Sequence, residues 1–284
     1  MVNDMVRATL DDDEMFKHAL DIIEAAEKQG VYLRLLGAMA IRMHIQDTEF
    51  MDLYDKLSRL GLDADKKFTD IDVVAYKKQL KSLRKVLEND LGFIVDRMML
   101  QYLRDRGRLI YYEKNNTYHV DVFFDKLEFS HNVHFGKDPK KDGRLHLDSP
   151  TIPLADIVLQ KTQIHRINEK DIKDLIILLR AHDLIETDNT DETNLINIKY
   201  IAEVLANDWG FWKDATENLD KVKKFSERYW KEELISQEDM TDVLNKVNTI
   251  LEIIKNEPKT KNWQKRAKKG ESKQWWKDVE EVER

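Results

Sequence analysis

The chain has no cysteine. Disulfides and thiolate metal sites are therefore excluded, and a reducing compartment is permitted. It also has no apolar run long enough to cross a membrane. Its opening residues, MVNDMVRATLDDDE, lack the apolar stretch of a signal peptide, so a cytoplasmic protein is expected. Net positive charge is missing too. The formal net charge is −7, which argues against a basic nucleic-acid binder as a whole but leaves room for a local basic patch. Neither a G-x-x-x-x-G-K-S/T phosphate loop nor an H-E-x-x-H zinc motif occurs. His131, His134 and His146 have no ligand spacing and are assigned no metal.

The 284 residues allow one large domain or two small ones. A hydrophobic share of 42% is enough for a core, and a charged share of 36% fits a mostly helical chain with solvated faces. The pattern is mixed α/β to about residue 150. Acids from Asp11 to Glu14, after Thr9, start a helix that Gly30 ends. Val31 to Leu36 reads as a buried strand, and Ala38 to about Leu60 as helix, interrupted near Asp47. Ile71 to Tyr76 is a strand and Lys78 to Leu91 an amphipathic helix. Arg108 to Glu113 and Tyr118 to Phe124 flank the turn pair Asn115-Asn116 and predict a hairpin. Arg144 to Leu147 reads as a further short strand. From Pro153 the pattern turns helical, with segments at Leu154–Ile164, Glu169–His182, Ile198–Asn207, Phe211–Trp230 and Glu238–Asn256. The expected organisation is an α/β domain over 1–150, a helical C-terminal domain over 151–257 and a basic, Trp-containing tail over 258–284.

Chemistry concentrates on two strands. In Phe68-Thr69-Asp70-Ile71-Asp72-Val73-Val74, alternation puts Asp70 and Asp72 on one face and Ile71 and Val73 on the other. Two carboxylates on one face repel each other, and a bound cation offsets the repulsion. In His119-Val120-Asp121-Val122-Phe123-Phe124, a single acid again stands between apolar residues. If the strands are neighbours, three carboxylates converge, a hard oxygen set suited to Mg²⁺ or Mn²⁺. Exposed edge strands with solvated acids are the plainer alternative. They account for Asp-x-Asp but not for the ordered set. A third piece, Leu35-Leu36-Gly37-Ala38, runs from strand to helix, where glycine and a helix N-terminus admit a phosphate. A plain turn glycine is the other reading.

Taken together, the segments from Tyr32 to Phe124 resemble the polymerase-β-like nucleotidyltransferase superfamily. The nearest look is to the AbiEii-type and related small bacterial and archaeal nucleotidyltransferases. The resemblance implies a nucleotidyltransferase-type mixed sheet with flanking helices and a helical C-terminal region. It also implies transfer of an NMP group from an NTP to an acceptor hydroxyl on RNA, protein or a small molecule. Asp70, Asp72 and Asp121 would be the catalytic, metal-binding residues, with Gly37, Ala38 and Thr69 at the nucleotide. In that branch a lysine and a pair of aspartates follow on C-terminal helices. Leu159-Gln160-Lys161-Thr162 and Lys170-Asp171-Ile172-Lys173-Asp174-Leu175 look like those segments, so Lys161 would meet nucleotide phosphates and Asp171 and Asp174 would orient it. The plainer reading of both acids is surface residues on an ordinary helix.

The chain departs from the family in two places. Ala38 stands where Gly or Ser is usual, which removes a hydroxyl contact to phosphate, and the gap from Gly37 to Asp70 is long. A nucleotide-binding or toxin–antitoxin-type interaction protein with little catalysis is therefore the alternative function. The arginine–histidine motif of a HEPN ribonuclease partner is absent from this chain.

Three further features bear on substrate. His119 shares the face of Asp121 and is a candidate contact for nucleotide or substrate, unless it only hydrogen-bonds at the strand end. Lys66 and Lys67 are candidates to steer a triphosphate, or members of a solvated loop. Lys259 to Lys277 holds eight basic residues and one acid, with Trp263, Trp275 and Trp276 interleaved. Such a stretch can bind single-stranded nucleic acid or dock as a tail. Trp209, Trp212 and Trp230 are expected in the helical core.

Overall fold

The computed structural model of the chain describes residues 10–57, 68, 70–95, 107–186 and 194–278. The fold is mixed α/β with a helical C-terminal region, as the sequence pattern predicts. It divides into two compact units. One comprises Met1–Ala40, Ala64–Lys126 and His134–Ile152, the other Ile41–Asp63, Leu127–Val133 and Pro153–Arg284.

The first unit is built on a five-stranded mixed sheet. Its strands are β1 (Leu33–Leu35), β2 (Ile71–Ala75), β3 (Ile94–Val95), β4 (Arg108–Tyr112) and β5 (His119–Phe124), in spatial order β1-β2-β5-β4-β3. Only β2 and β5 run parallel; the other three pairings are antiparallel. β4 and β5 form the expected hairpin, with Asn116 at φ 57° taking the left-handed turn conformation that asparagine tolerates. Helix α1 (Asp12–Lys28) is capped by Asp11, which accepts from the Glu14 N–H in a capping box. Thr9 lies outside the described residues. Met15, Phe16, Ala19, Ile22, Ile23 and Ala26 form the buried stripe of α1 at helical spacing.

α2 (Gly37–Ile45) and α3 (Met51–Leu57) fill the stretch expected as helix after Gly37, and the interruption between them falls around Asp47, as expected. The stretch expected as one helix after Tyr76 opens with a 3-10 turn. It continues as α4 (Leu80–Arg84) and widens into a π-helical segment, Lys85–Asp90. Arg144 to Leu147, expected as a strand, is a loop. Its backbone donors are taken by the Phe135 carbonyl at Arg144 and the Tyr76 hydroxyl at Leu145, so no ladder forms. The strand-like contact lies further on, where the Leu35 N–H and C=O bond Pro150 and Ile152.

Asp148 is nearly buried beside that contact, with Oδ1 accepting from the Ser149 N–H and Oδ2 from the Thr151 hydroxyl. Burial pushes its carboxyl up to about 6, and the Ser149 and Thr151 hydrogen bonds and the nearby Arg34 only partly oppose this. A raised carboxyl favours the folded state at low pH and loses that contribution as pH rises through about 6. Asp148→Asn is therefore expected to stabilise the protein by about 1–3 kcal/mol at pH 7.5, with the gain vanishing near pH 4. Urea unfolding of both proteins at the two pH values checks this, and a gain independent of pH would refute it.

The helices of the second unit include α5 (Leu154–Thr162), α6 (Glu169–Ala181), α7 (Ile198–Leu205), α8 (Trp209–Lys231) and α9 (Gln237–Asn256). Val243, Val247, Ile250 and Ile254 make the buried stripe of α9, at one face of a 3.6-residue period. α9 packs against α6, α7 and α8. Trp209 is buried as expected, but Trp230 is 39% exposed. Its neighbour Tyr229 takes the inward position on α8 instead.

The tail docks on this unit. α10 (Lys261–Ala267) is capped by Thr260, whose own N–H bonds the Ala206 carbonyl. Trp263 meets Trp212 edge-on at 5.2 Å, and Arg266 lies over Trp209. Among the described residues no helix is long and apolar enough to cross a membrane.

Candidate active site

Parallel pairing of β2 with β5 sets the site. Ile71 pairs with Val120, Asp72 with Asp121 and Val73 with Val122. Ile71, Val73, Val120 and Val122 are fully buried and fix which way each strand faces. Asp72 and Asp121 then stand side by side on the opposite face. One step earlier, Asp70 stands beside His119, with His119 Nε2 3.6 Å from Asp70 Oδ2. The result is two rows of two polar residues on adjacent strands.

These residues are not equally close. A carboxylate oxygen from Asp70, one from Asp121 and a ring nitrogen of His119 lie within 4.8 Å of one another. Asp72 adjoins Asp121 in the register but stands outside that tight group. Asp121 is only 1% exposed, whereas Asp70 and Asp72 are half-buried.

The hairpin adds a residue that sequence reasoning missed. Ile110 on β4 pairs with Asp121, so Arg108, two residues earlier, projects on the same face. Its guanidinium forms an ion pair with Asp121 Oδ2. A signal was available: once the hairpin closes at Asn115-Asn116, alternation along β4 puts Arg108, Ile110 and Tyr112 on the acid face. The carboxylates of Asp70, Asp72 and Asp121 gather negative charge on this face, which a divalent cation would offset. The donor set of carboxylate oxygens plus an imidazole is chemically suited to such an ion.

The glycine turn lies at the same end of the sheet. β1 is antiparallel to β2, with Leu35 opposite Val73, and the Leu36 N–H donates to the Asp72 carbonyl at 2.9 Å. Gly37 follows at φ 61°, a left-handed conformation in which a side chain is strained. α2 starts there, so an electropositive helix N-terminus begins next to the acidic strand. Ala38 is half-buried and offers only its backbone to an anion. Thr69, Lys66 and Lys67 lie outside the described residues.

Lys161 belongs to the second unit, on α5. It is 4% exposed, and its ammonium contacts Asp171 Oδ1 and Asp174 Oδ2, each at 2.7 Å. The reading of Asp171 and Asp174 as surface acids is thus corrected. Both are buried on α6, where they sit in its apolar stripe and are compensated by the lysine ten and thirteen residues earlier.

A further buried carboxylate in this unit has no sequence signal. Asp214, 1% exposed on α8, accepts from His131 at 2.7 Å, from His165 at 3.0 Å and from the Trp275 indole at 3.0 Å. Burial alone would raise its carboxyl, but the hydrogen bonds from His131, Trp275 and His165 outweigh burial and hold it below the ordinary range. Trp276 stacks on His165 at 3.7 Å. Gly210 is required here because a Cβ would come within 2.6 Å of the Trp275 carbonyl. The indoles of Trp275 and Trp276 are thus engaged within the chain.

No family model matches the chain, and no curated protein matches it. Among solved structures, the solution structure of the antibiotic-resistance factor ANT(2'')-Ia is similar at 14% identity and a TM-score of 0.36. The match covers 69% of this chain and 95% of that one. So loose a likeness leaves function to be argued from the residues themselves.

Proposed function

We propose that the chain is a divalent-metal-dependent nucleotidyltransferase of the polymerase-β-like type, moving an NMP group from an NTP to an acceptor hydroxyl. The observation that supports this most is the parallel register of Asp72 with Asp121, which sets an Asp-x-Asp strand beside a strand bearing one acid. Asp70, Asp72 and Asp121 would hold Mg²⁺ or Mn²⁺. A bound ion would supply charge neutralisation for the triphosphate and acidify the acceptor hydroxyl. The backbone at Gly37 and Ala38 would take a phosphate at the start of α2. Asp121, almost enclosed and on the middle strand of the sheet, would act on the acceptor.

Placement in the AbiEii-type branch rests on the resemblance at Lys161, Asp171 and Asp174. For Lys161 to meet a phosphate, that phosphate would share it with two carboxylates already at 2.7 Å. A second reading, a nucleotide-binding or toxin–antitoxin-type interaction protein with little catalysis, draws support from two observations. Ala38 lacks a hydroxyl, and Arg108 occupies an oxygen of the acid meant for the acceptor.

The discriminating experiment offers each labelled NTP with Mg²⁺ or Mn²⁺ and a cell extract, then looks for a labelled acceptor. Transfer by the wild type, lost in Asp70→Asn, is the expected result. Metal-dependent NTP binding with nothing labelled would favour the interaction protein, and metal-independent binding in both proteins would overturn the metal-site reading.

A further inference from the structure

The imidazole in the acid group distinguishes this site from an all-carboxylate one. His119 opens β5, one row below Asp121, and its Nε2 faces Asp70 across the parallel strand pair. Its position is enforced by the sheet. Val120 and Val122 are fully buried on the other face, so a change of side would expose both. Tyr112, opposite His119 on β4, lies at a ring-centroid distance of 6.2 Å and lines the other side of the imidazole. The ring is 17% exposed, so a small ion can reach it.

Nitrogen and oxygen donors select differently among dications. Mg²⁺ prefers oxygen and keeps its waters, whereas first-row transition ions accept imidazole readily. Asp70, Asp121 and His119 offer two oxygens and one nitrogen within 4.8 Å of one another. Asp72, outside that group, retains the purely oxygen character expected for an ion that carries phosphate.

We propose that His119 is a nitrogen ligand to the divalent ion held with Asp70 and Asp121, and that it biases the site toward transition dications over Mg²⁺. This rests on the reading of the same face as a metal site.

The test uses the full chain loaded with Mn²⁺. Pulsed electron paramagnetic resonance should show a ¹⁴N coupling of the imidazole type, converted to a ¹⁵N pattern when only histidine nitrogens are labelled. His119→Asn should abolish that coupling. The same variant should lower the preference for Mn²⁺ over Mg²⁺, measured by competition calorimetry, by at least about tenfold. Circular dichroism confirms that the variant is folded, and His119→Gln serves as the second variant if it is not. If Mn²⁺ binds in a way that Asp121→Asn abolishes, yet shows no histidine coupling, the nitrogen-ligand inference is wrong and the metal-site reading stands. If no Mn²⁺ binding depends on Asp70 or Asp121, both fall.

Discussion

Lys161→Met is expected to destabilise the second unit by about 3–5 kcal/mol, the usual cost of stranding buried charge. Lys161 is 4% exposed, and Asp171 and Asp174 are 6% and 1% exposed. Removing the ammonium leaves two carboxylates that repel each other, with little water to screen them. Against a typical total of about 5–15 kcal/mol, that loss is large. Adding Asp171→Asn and Asp174→Asn to Lys161→Met should restore much of it, because neutral amides no longer need a cation. The effects must be non-additive, since all three side chains share one network. Urea unfolding of the single and triple variants measures this directly. A single-variant loss below about 1 kcal/mol would mean that the lysine does not compensate the pair.

The second large effect belongs to Asp121. Asp121→Asn keeps shape and burial but removes the charge that faces Arg108 and any bound cation. Under the proposed transfer reaction its carboxylate serves the acceptor more than the triphosphate. Transfer should therefore fall by about 10²–10⁴, or roughly 3–5 kcal/mol at 1.36 kcal/mol per tenfold. NTP affinity should change far less, because Asp70, Asp72 and the turn at Gly37 remain. Single-turnover rates with saturating nucleotide, together with equilibrium nucleotide binding, separate the two quantities. If affinity and rate fall in parallel, Asp121 is a nucleotide ligand and its assignment to the acceptor is incorrect.

The parts of this structure that can be read from sequence are those encoded by local periodicity. α1 shows a capping box at Asp11 and Glu14 and an apolar stripe, and the β4–β5 hairpin has Asn115-Asn116 at its turn. The two acid-bearing strands are legible as strands for the same reason. Their adjacency is not, because parallel pairing of β2 with β5 joins segments separated in the chain by a helix and two further strands, β3 and β4. Arg108 was missed because its role needs two inferences in series, the hairpin register and then the ion pair.

The plainer reading of Asp171 and Asp174 as surface acids overlooks a signal that is present, whereas the resemblance that sets them at Lys161 agrees with the contacts observed. With Leu175 and Leu178 they follow i, i+3, i+4, i+7 spacing, so they lie within the buried stripe. An acid in such a stripe demands a partner, and the only question is which cation supplies it. Asp214 is different. Its histidine partners lie 83 and 49 residues earlier, beyond the reach of any pattern.

The distribution of indoles has a practical consequence. The six tryptophans stand at 209, 212, 230, 263, 275 and 276, all in the second unit, whereas Tyr32, Tyr76, Tyr111, Tyr112 and Tyr118 are in the first. Emission excited at the red edge of the absorption band therefore reports on one unit alone. Undocking of the C-terminal segment would separate Trp276 from the stacked His165 ring and so change the surroundings of that indole. The chain thus carries an intrinsic optical probe of tail detachment. That probe is spectrally separate from the acid-bearing sheet, where only tyrosine emits among the described residues.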